Sequence, residues 1–325
     1  MDEELARLTS AFERMGSCIV PADRHQREAL RRRMRAGEFI QPDRGIYVRP
    51  GYWDKLKISQ QSLHRMRALT LLHRDWVFCN VSSLVARGFP ISYRYARMMH
   101  VHRDRSAGRP PRSTPDYVAS RRPLEAVEIV NGVRVCSLVS GVIDAMCSHD
   151  FREALLVGDK YLRVSGESRE MLVERLEGER RRRGILRARC AASYADGLSE
   201  SGGESISRAI MIEQGYQIPI LQESILDPID PWHEIRFDFT WRDARDRIIS
   251  RGEFDGHEKY SDEEMLAGKT SVRAIADAQR RESRGSIDGS PLLRFSWSEA
   301  LNLSYFTLLL DTYRIPRSPG CHYVV

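Results

Sequence analysis

Apolar residues at Leu5, Leu8, Phe12 and Met15 recur at spacings of three and four, which predicts one buried stripe on an N-terminal helix. The stretch 16–21 breaks that period, and a second helix is predicted over 24–36. There Leu30 and Met34 face inward, while Arg27, Arg31, Arg32, Arg33 and Arg35 cover the remaining faces, and Gly37 suits the position just beyond a helix end. Residues 38–49 then hold two β-prone runs around Pro42-Asp43-Arg44-Gly45, the chemistry of a hairpin turn. Helix, basic helix and hairpin in this order predict a winged helix-turn-helix domain over 1–58. Its candidate DNA contacts are Arg27, Arg31, Arg32 and Arg35 on the second helix and Arg44 in the hairpin, because a guanidinium suits both guanine edges and phosphates. The alternative is a solvated arginine face on an ordinary helix.

The middle of the chain, 59–190, reads as a mixed α/β region. Helical periodicity runs through 60–75 and 141–180, and the Pro-, Arg- and Ser-rich stretch 110–123 reads as a loop between short strands. His100 and His102 alternate on a predicted strand and so share a face. A shared metal is conceivable for them, but no carboxylate or cysteine follows at a helpful spacing, and exposed strand histidines need no function. The run 180–183 of arginines ends a helix opened by acidic residues, an order that suits the helix dipole, with a phosphate contact as the alternative.

From about residue 193 a Ser/Gly-rich loop leads into a helix with Glu204 in its first turn. Three strands follow, over 218–225, 235–241 and 246–256. On the second, Ile235, Phe237 and Phe239 point one way and Arg236, Asp238 and Thr240 the other; on the third, Glu253 and Asp255 share a face. Adjacent strands would bring Asp238 beside Glu253 and Asp255, with the helix carrying Glu204 nearby. Carboxylates at this density suit Mg²⁺ or Mn²⁺, and a metal held there can generate hydroxide and neutralise charge on a phosphodiester. The alternative is a polar network in which Asp238 and Glu253 pair with Arg236, Arg251 or Arg281.

Composition changes this picture in two ways. The 325 residues are 42% hydrophobic and 30% charged, and no apolar run approaches the roughly 18 residues of a membrane span. The opening residues are acidic, unlike a secretory signal, and the six cysteines are scattered without zinc-finger spacing, so a cytoplasmic location with reduced thiols and no membrane partner is expected. Charge is unevenly spread: residues 1–124 carry 24 Lys and Arg against 12 Asp and Glu, whereas 125–325 carry 27 against 33. Basic charge concentrated in the first third is the footprint expected of a polyanion-binding module.

The stretch LRRRMRAGEFIQPDRGIYVRP resembles the N-terminal winged helix of AbiEi-type antitoxins, with glycines at 37 and 45 and Tyr47 matching that family's wing. NVSSLVARGFP (80–90) and VNGVRVCSL (130–138) extend the resemblance over roughly the first half. It implies sequence-specific DNA binding, autorepression and a nucleotidyltransferase toxin as partner; winged-helix repressors of this kind often form homodimers. Residues 195–310 resemble the PD-(D/E)xK nuclease superfamily near its very-short-patch repair branch. The matching residues are Glu204 on the helix, Gln222 on the strand between, Asp238 in RFDFTW, and Glu253 with Asp255 in GEFDGHEKY, and the stretch ADAQRRESRGSIDGSPLLRFSW resembles the closing helix and strand. This implies a nuclease fold over 191–325, a Mg²⁺ or Mn²⁺ site on Glu204, Asp238 and Glu253, and phosphodiester hydrolysis. The superfamily's lysine two places after the second acid is absent and Asp255 stands there; Lys259 or His257 is expected to supply the positive charge. The fold expected is thus α+β and multidomain. Its function is either that of a DNA-binding regulator with a nuclease-like C-terminal domain, or that of a non-catalytic repressor whose C-terminal domain binds a toxin.

Overall fold

Asp23 accepts a hydrogen bond from the backbone N–H of Gln26 (2.8 Å), and this cap starts a helix where the arginine-rich run begins. The structure, a computed structural model, describes residues 3–103, 117–120, 122, 124–179, 182–256, 283 and 289–318. They form mixed helix and sheet, divided into two units, Met1–His149 and Asp150–Val325. The expected middle region 59–190 is shared between them.

In the first unit, α1 (Glu3–Arg14) and α2 (Arg24–Arg35) pack through Leu5, Ile19, Leu30, Phe39 and Tyr47, with Leu8, Phe12 and Met34 against that cluster. The predicted hairpin is one antiparallel bridge, Ile40 with Val48, rather than two strands, and Tyr47 bridges in turn to Ile19. Its turn is pinned from outside. The buried Asp43 carboxylate accepts from Nε and Nη2 of Arg65 (2.6 and 2.9 Å) and from the hydroxyl of Tyr117 (2.5 Å). Gly45 at φ 89° makes the reversal that a side chain would oppose. The short α3 (Pro50–Trp53) and α4 (Ile58–Leu72), which carries Arg65, follow.

Beyond α4 the chain builds a five-stranded sheet of order β3-β2-β1-β5-β4. Its strands are β1 (Trp76–Phe78), β2 (Met99–Arg103), β3 (Tyr117–Ser120), β4 (Val127–Val130) and β5 (Val133–Cys136). Helices α5 (Asn80–Ala86), α6 (Tyr93–Ala96) and α7 (Leu138–Ser148) complete the unit, and the residues of α5 are buried throughout. Cys18, Cys79, Cys136 and Cys147 are buried free thiols, as their scatter predicts.

The second unit opens with α8 (Phe151–Ser165), α9 (Arg169–Gly178), α10 (Ile185–Tyr194) and α11 (Gly202–Glu213). Its four-stranded sheet, in the order β6-β7-β8-β9, comprises β6 (Ile220–Leu226), β7 (Glu234–Arg242), β8 (Ile248–Asp255) and β9 (Leu292–Ser296). The first three strands are antiparallel neighbours, and β9 runs parallel to β8. Phe237, Phe239, Trp241, Phe254, Leu293 and Phe295 are buried, and Phe306 of α13 (Leu303–Thr312) packs on Phe295 with ring centres 4.9 Å apart; α12 (Trp297–Leu301) links β9 to α13. No described helix is long and apolar enough to cross a membrane.

The strand bearing His100 and His102 forms, but His100 is not the exposed histidine the sequence leads one to expect: it is 6% exposed, with its ring 6.0 Å from that of His149. His149 in turn lies 4.1 Å from the ring of Tyr95, with its Nε2 3.3 Å from Oδ1 of Asn80. Burial, with His149 adding to it, pushes the His100 imidazole down from 6.5 to about 3. A folded-state pKa below the unfolded one favours the neutral form. The stability that neutral His100 contributes is therefore present above pH 6.5 and is lost as pH falls from 6.5 toward 3. Between pH 7 and pH 5 this amounts to about 2 kcal/mol. Thermal melts of the wild type and His100→Asn at the two pH values check this. The wild type should lose markedly more melting temperature on acidification than the variant, and equal losses would show that His100 is not the group responsible.

Candidate functional site

The acidic cluster begins with the start of α11. Ser201 caps the helix by accepting from the N–H of Glu204 (3.2 Å), and Glu204 reaches back: its Oε1 accepts from the Ser201 hydroxyl (2.7 Å) and its Oε2 from the N–H of Glu200 (2.8 Å). This reciprocal cap buries the Glu204 carboxylate completely. Gly203, beside it, has to be small, because a Cβ there would lie 2.1 Å from the ring of Phe254. One turn along, Arg208 forms a buried ion pair with Asp159 of α8 (2.6 Å) and also donates to the carbonyl of Tyr194 (2.6 Å). That pair fixes the rotation of α11 and hence the direction of Glu204. Burial pushes the Asp159 carboxyl up, opposed by Arg208 and the N–H of Asp196.

The strands deliver the other acids as the period of two predicts. Phe237, Phe239 and Trp241 are buried in the apolar core, and Asp238 takes the opposite face. Its Oδ2 accepts from the backbone N–H of Phe254 (2.9 Å). Glu253 lies on the neighbouring strand, where its Oε1 accepts from the N–H of Asp238 at 3.4 Å. Both carboxylates are buried. Gln222 joins the helix to the sheet: its Nε2 donates to Oε2 of Glu204 (3.0 Å) and to Oδ1 of Asp238 (3.1 Å). Leu221 pairs with Phe239 and Glu223 with Phe237, so Gln222 stands across from Asp238. It does so at φ 54°, a backbone region that costs a side-chain-bearing residue about 1 kcal/mol or more.

Of the residues predicted for this site, Glu204 and Asp238 are thus joined through one amide, and Glu253 adjoins Asp238. Asp255 shares the face of Glu253 but is held by Arg294 of β9 in a two-pronged ion pair, with Nε at 3.2 Å from Oδ2 and Nη2 also on Oδ1. Arg294 stands in register beside Glu253, which places a positive charge on the same sheet face. Lys259, His257 and Arg281 lie outside the described residues. Arg236 pairs with Glu200 (2.7 Å), while Arg251 is buried over the ring of Phe237 and bonded to Ser290. Gln222 is the residue that sequence reasoning placed on the right strand without assigning it a role. Its signal was a polar side chain directly ahead of another, Glu223, in a strand-like run.

In donor chemistry this group fits a hard divalent cation: three carboxylates and an amide carbonyl, Oε1 of Gln222, which is buried without a hydrogen-bond partner among the described residues. Among the described residues, no three His, Cys, Asp or Glu side chains close on one metal position as they stand. The amide nitrogen of Gln222 lies between the acids of α11 and β7.

In the first unit, Arg27, Arg31, Arg32, Arg35 and Arg44 are all exposed. Arg27, Arg31 and Arg35 succeed one another at four-residue intervals and so form one stripe along α2, with Arg32 next to it. Arg33, by contrast, is drawn into a pair with Glu38 (2.9 Å).

No family model matches the chain, and no solved structure matches it. It is 38% identical over 93 residues to a protein of Mycobacterium tuberculosis described as uncharacterized, in strain CDC 1551 / Oshkosh and equally in strain ATCC 25618 / H37Rv. The matched stretch is 28% of this chain and spans about a third (33%) of the length of these curated relatives.

Proposed function

We propose that this protein is a DNA-directed regulator of toxin-antitoxin or defence type. In this reading the N-terminal helices and turn act as a winged helix on DNA, and Glu204, Asp238 and Glu253 form a Mg²⁺ or Mn²⁺ site for phosphodiester hydrolysis. The observation that carries the proposal is the convergence of helix and strand carboxylates: Glu204 of α11 and Asp238 of β7 meet on one amide, with Glu253 at the next strand. Asp238 is fixed by the N–H of Phe254 and Glu204 by its own helix cap, so both present oxygen donors without rearranging their backbones. A divalent cation there would supply charge neutralisation and an activated water. Arg294, anchored by Asp255, offers guanidinium N–H groups to a phosphate on the same face.

A second reading has its own support. Gln222 and the Phe254 N–H already satisfy Asp238, and Arg294 already neutralises Asp255, as in a scaffold that only binds a toxin partner. The two readings part on catalysis. Plasmid and single-stranded DNA incubated with the protein should be cut only when Mg²⁺ or Mn²⁺ is added, and Glu253→Ala should abolish the cutting. DNA binding that is indifferent to metal, with no cleavage, would leave the non-catalytic repressor.

The DNA-binding claim rests on the exposed Arg27, Arg31, Arg32 and Arg35 of α2. Replacing Arg31 and Arg32 with Ala should weaken binding to a mixed-sequence duplex and reduce the steepness of log K against log salt by about 2, one per lost phosphate contact. An unchanged salt slope would remove these residues from the interface.

A further inference from the structure

Both near neighbours of the Gln222 amide are carboxylate oxygens, Oε2 of Glu204 and Oδ1 of Asp238. Ionised carboxylates accept hydrogen bonds and do not donate them, so the NH₂ end has to face them. The carbonyl end is thereby turned aside, and there Oε1 is buried with no partner among the described residues. A buried acceptor without a donor is an unfavourable arrangement that proteins rarely keep. The same side chain therefore holds one group satisfied twice and one group not at all.

Resting on the cation site proposed above, we infer that Gln222 is a two-state member of it. With no metal bound, its amide nitrogen bridges Glu204 and Asp238 and stands in for a cation between them. With a divalent cation bound, a half-turn about the last side-chain bond turns Oε1 inward as a neutral oxygen ligand. That torsion is broad and roughly two-fold, and glutamine carbonyls belong to the oxygen donors hard cations accept. The N–H bridge keeps two buried acids of one helix and one strand together in the metal-free chain, so the site does not have to be assembled when metal arrives. The carbonyl then relieves its own lack of a partner in the metal-bound chain.

The test is Mn²⁺ titration of the full-length protein, with free Mn²⁺ followed by electron paramagnetic resonance, on wild type, Gln222→Met, Gln222→Glu and Asp238→Asn, alongside melting curves without metal. Gln222→Met keeps the length but has no oxygen, and should raise the Mn²⁺ Kd about tenfold. Gln222→Glu presents oxygen in either orientation and loses the N–H bridge. It should bind Mn²⁺ at least as tightly as wild type while melting lower without metal at neutral pH, because three carboxylates then face one another. Asp238→Asn should weaken binding strongly. Equal affinity of wild type and Gln222→Met, or weaker binding by Gln222→Glu, overturns the role of Gln222 while the loss in Asp238→Asn leaves the cation site standing. A wild type that binds no Mn²⁺, or binding untouched by Asp238→Asn, overturns both.

Discussion

Carboxylates buried on one sheet face repel each other and lose water, and such a group persists only if hydrogen bonds or a cation answer each negative charge. The second unit answers them locally. Glu204 is met by the cap of its own helix, Asp238 by the N–H of Phe254, and both by the amide of Gln222. The arrangement needs α11 at a set rotation, which the Asp159–Arg208 pair provides, and Phe254 against an uncluttered helix start, which Gly203 provides. Sheet and helix are thus built around the requirement that these acids lie close together and yet be individually satisfied.

The first unit obeys a different constraint. Most of the basic charge of α2 stays in water: Arg27, Arg31, Arg32 and Arg35 are exposed and Arg33 pairs with Glu38, while Leu30 and Met34 pack the helix against α1. Arg65 of α4 has a structural use instead: it clamps Asp43 in the turn before Gly45. The exposed Arg27, Arg31 and Arg35 thereby form one stripe along α2.

Much of this was legible in the sequence because it follows from spacing. The period of two in 235–241 assigned Asp238 and the phenylalanines to opposite faces, and the spacing of Leu5, Leu8 and Phe12 assigned the inward side of α1. What was not legible depends on contacts between distant segments. The hairpin is a single bridge whose turn residue Asp43 is bound by Arg65 and Tyr117, 22 and 74 residues away. Asp255 is paired with Arg294 because β9 lies parallel beside β8, a pairing across 39 residues that no local pattern encodes. His100 is buried beside His149, the residue that follows α7. Gln222 gained its place from a positive φ that its residue type does not announce.

The central claim is that the helix and strand carboxylates of the second unit hold a divalent cation. Diffraction from crystals soaked in Mn²⁺, measured at the manganese absorption edge, addresses it most directly. The account predicts an anomalous peak in direct contact with the carboxylates of Asp238 and Glu253 and beside Glu204 and Gln222. A fully soaked crystal with no peak among these four side chains, their amide and carboxylate bonds unchanged, would contradict it.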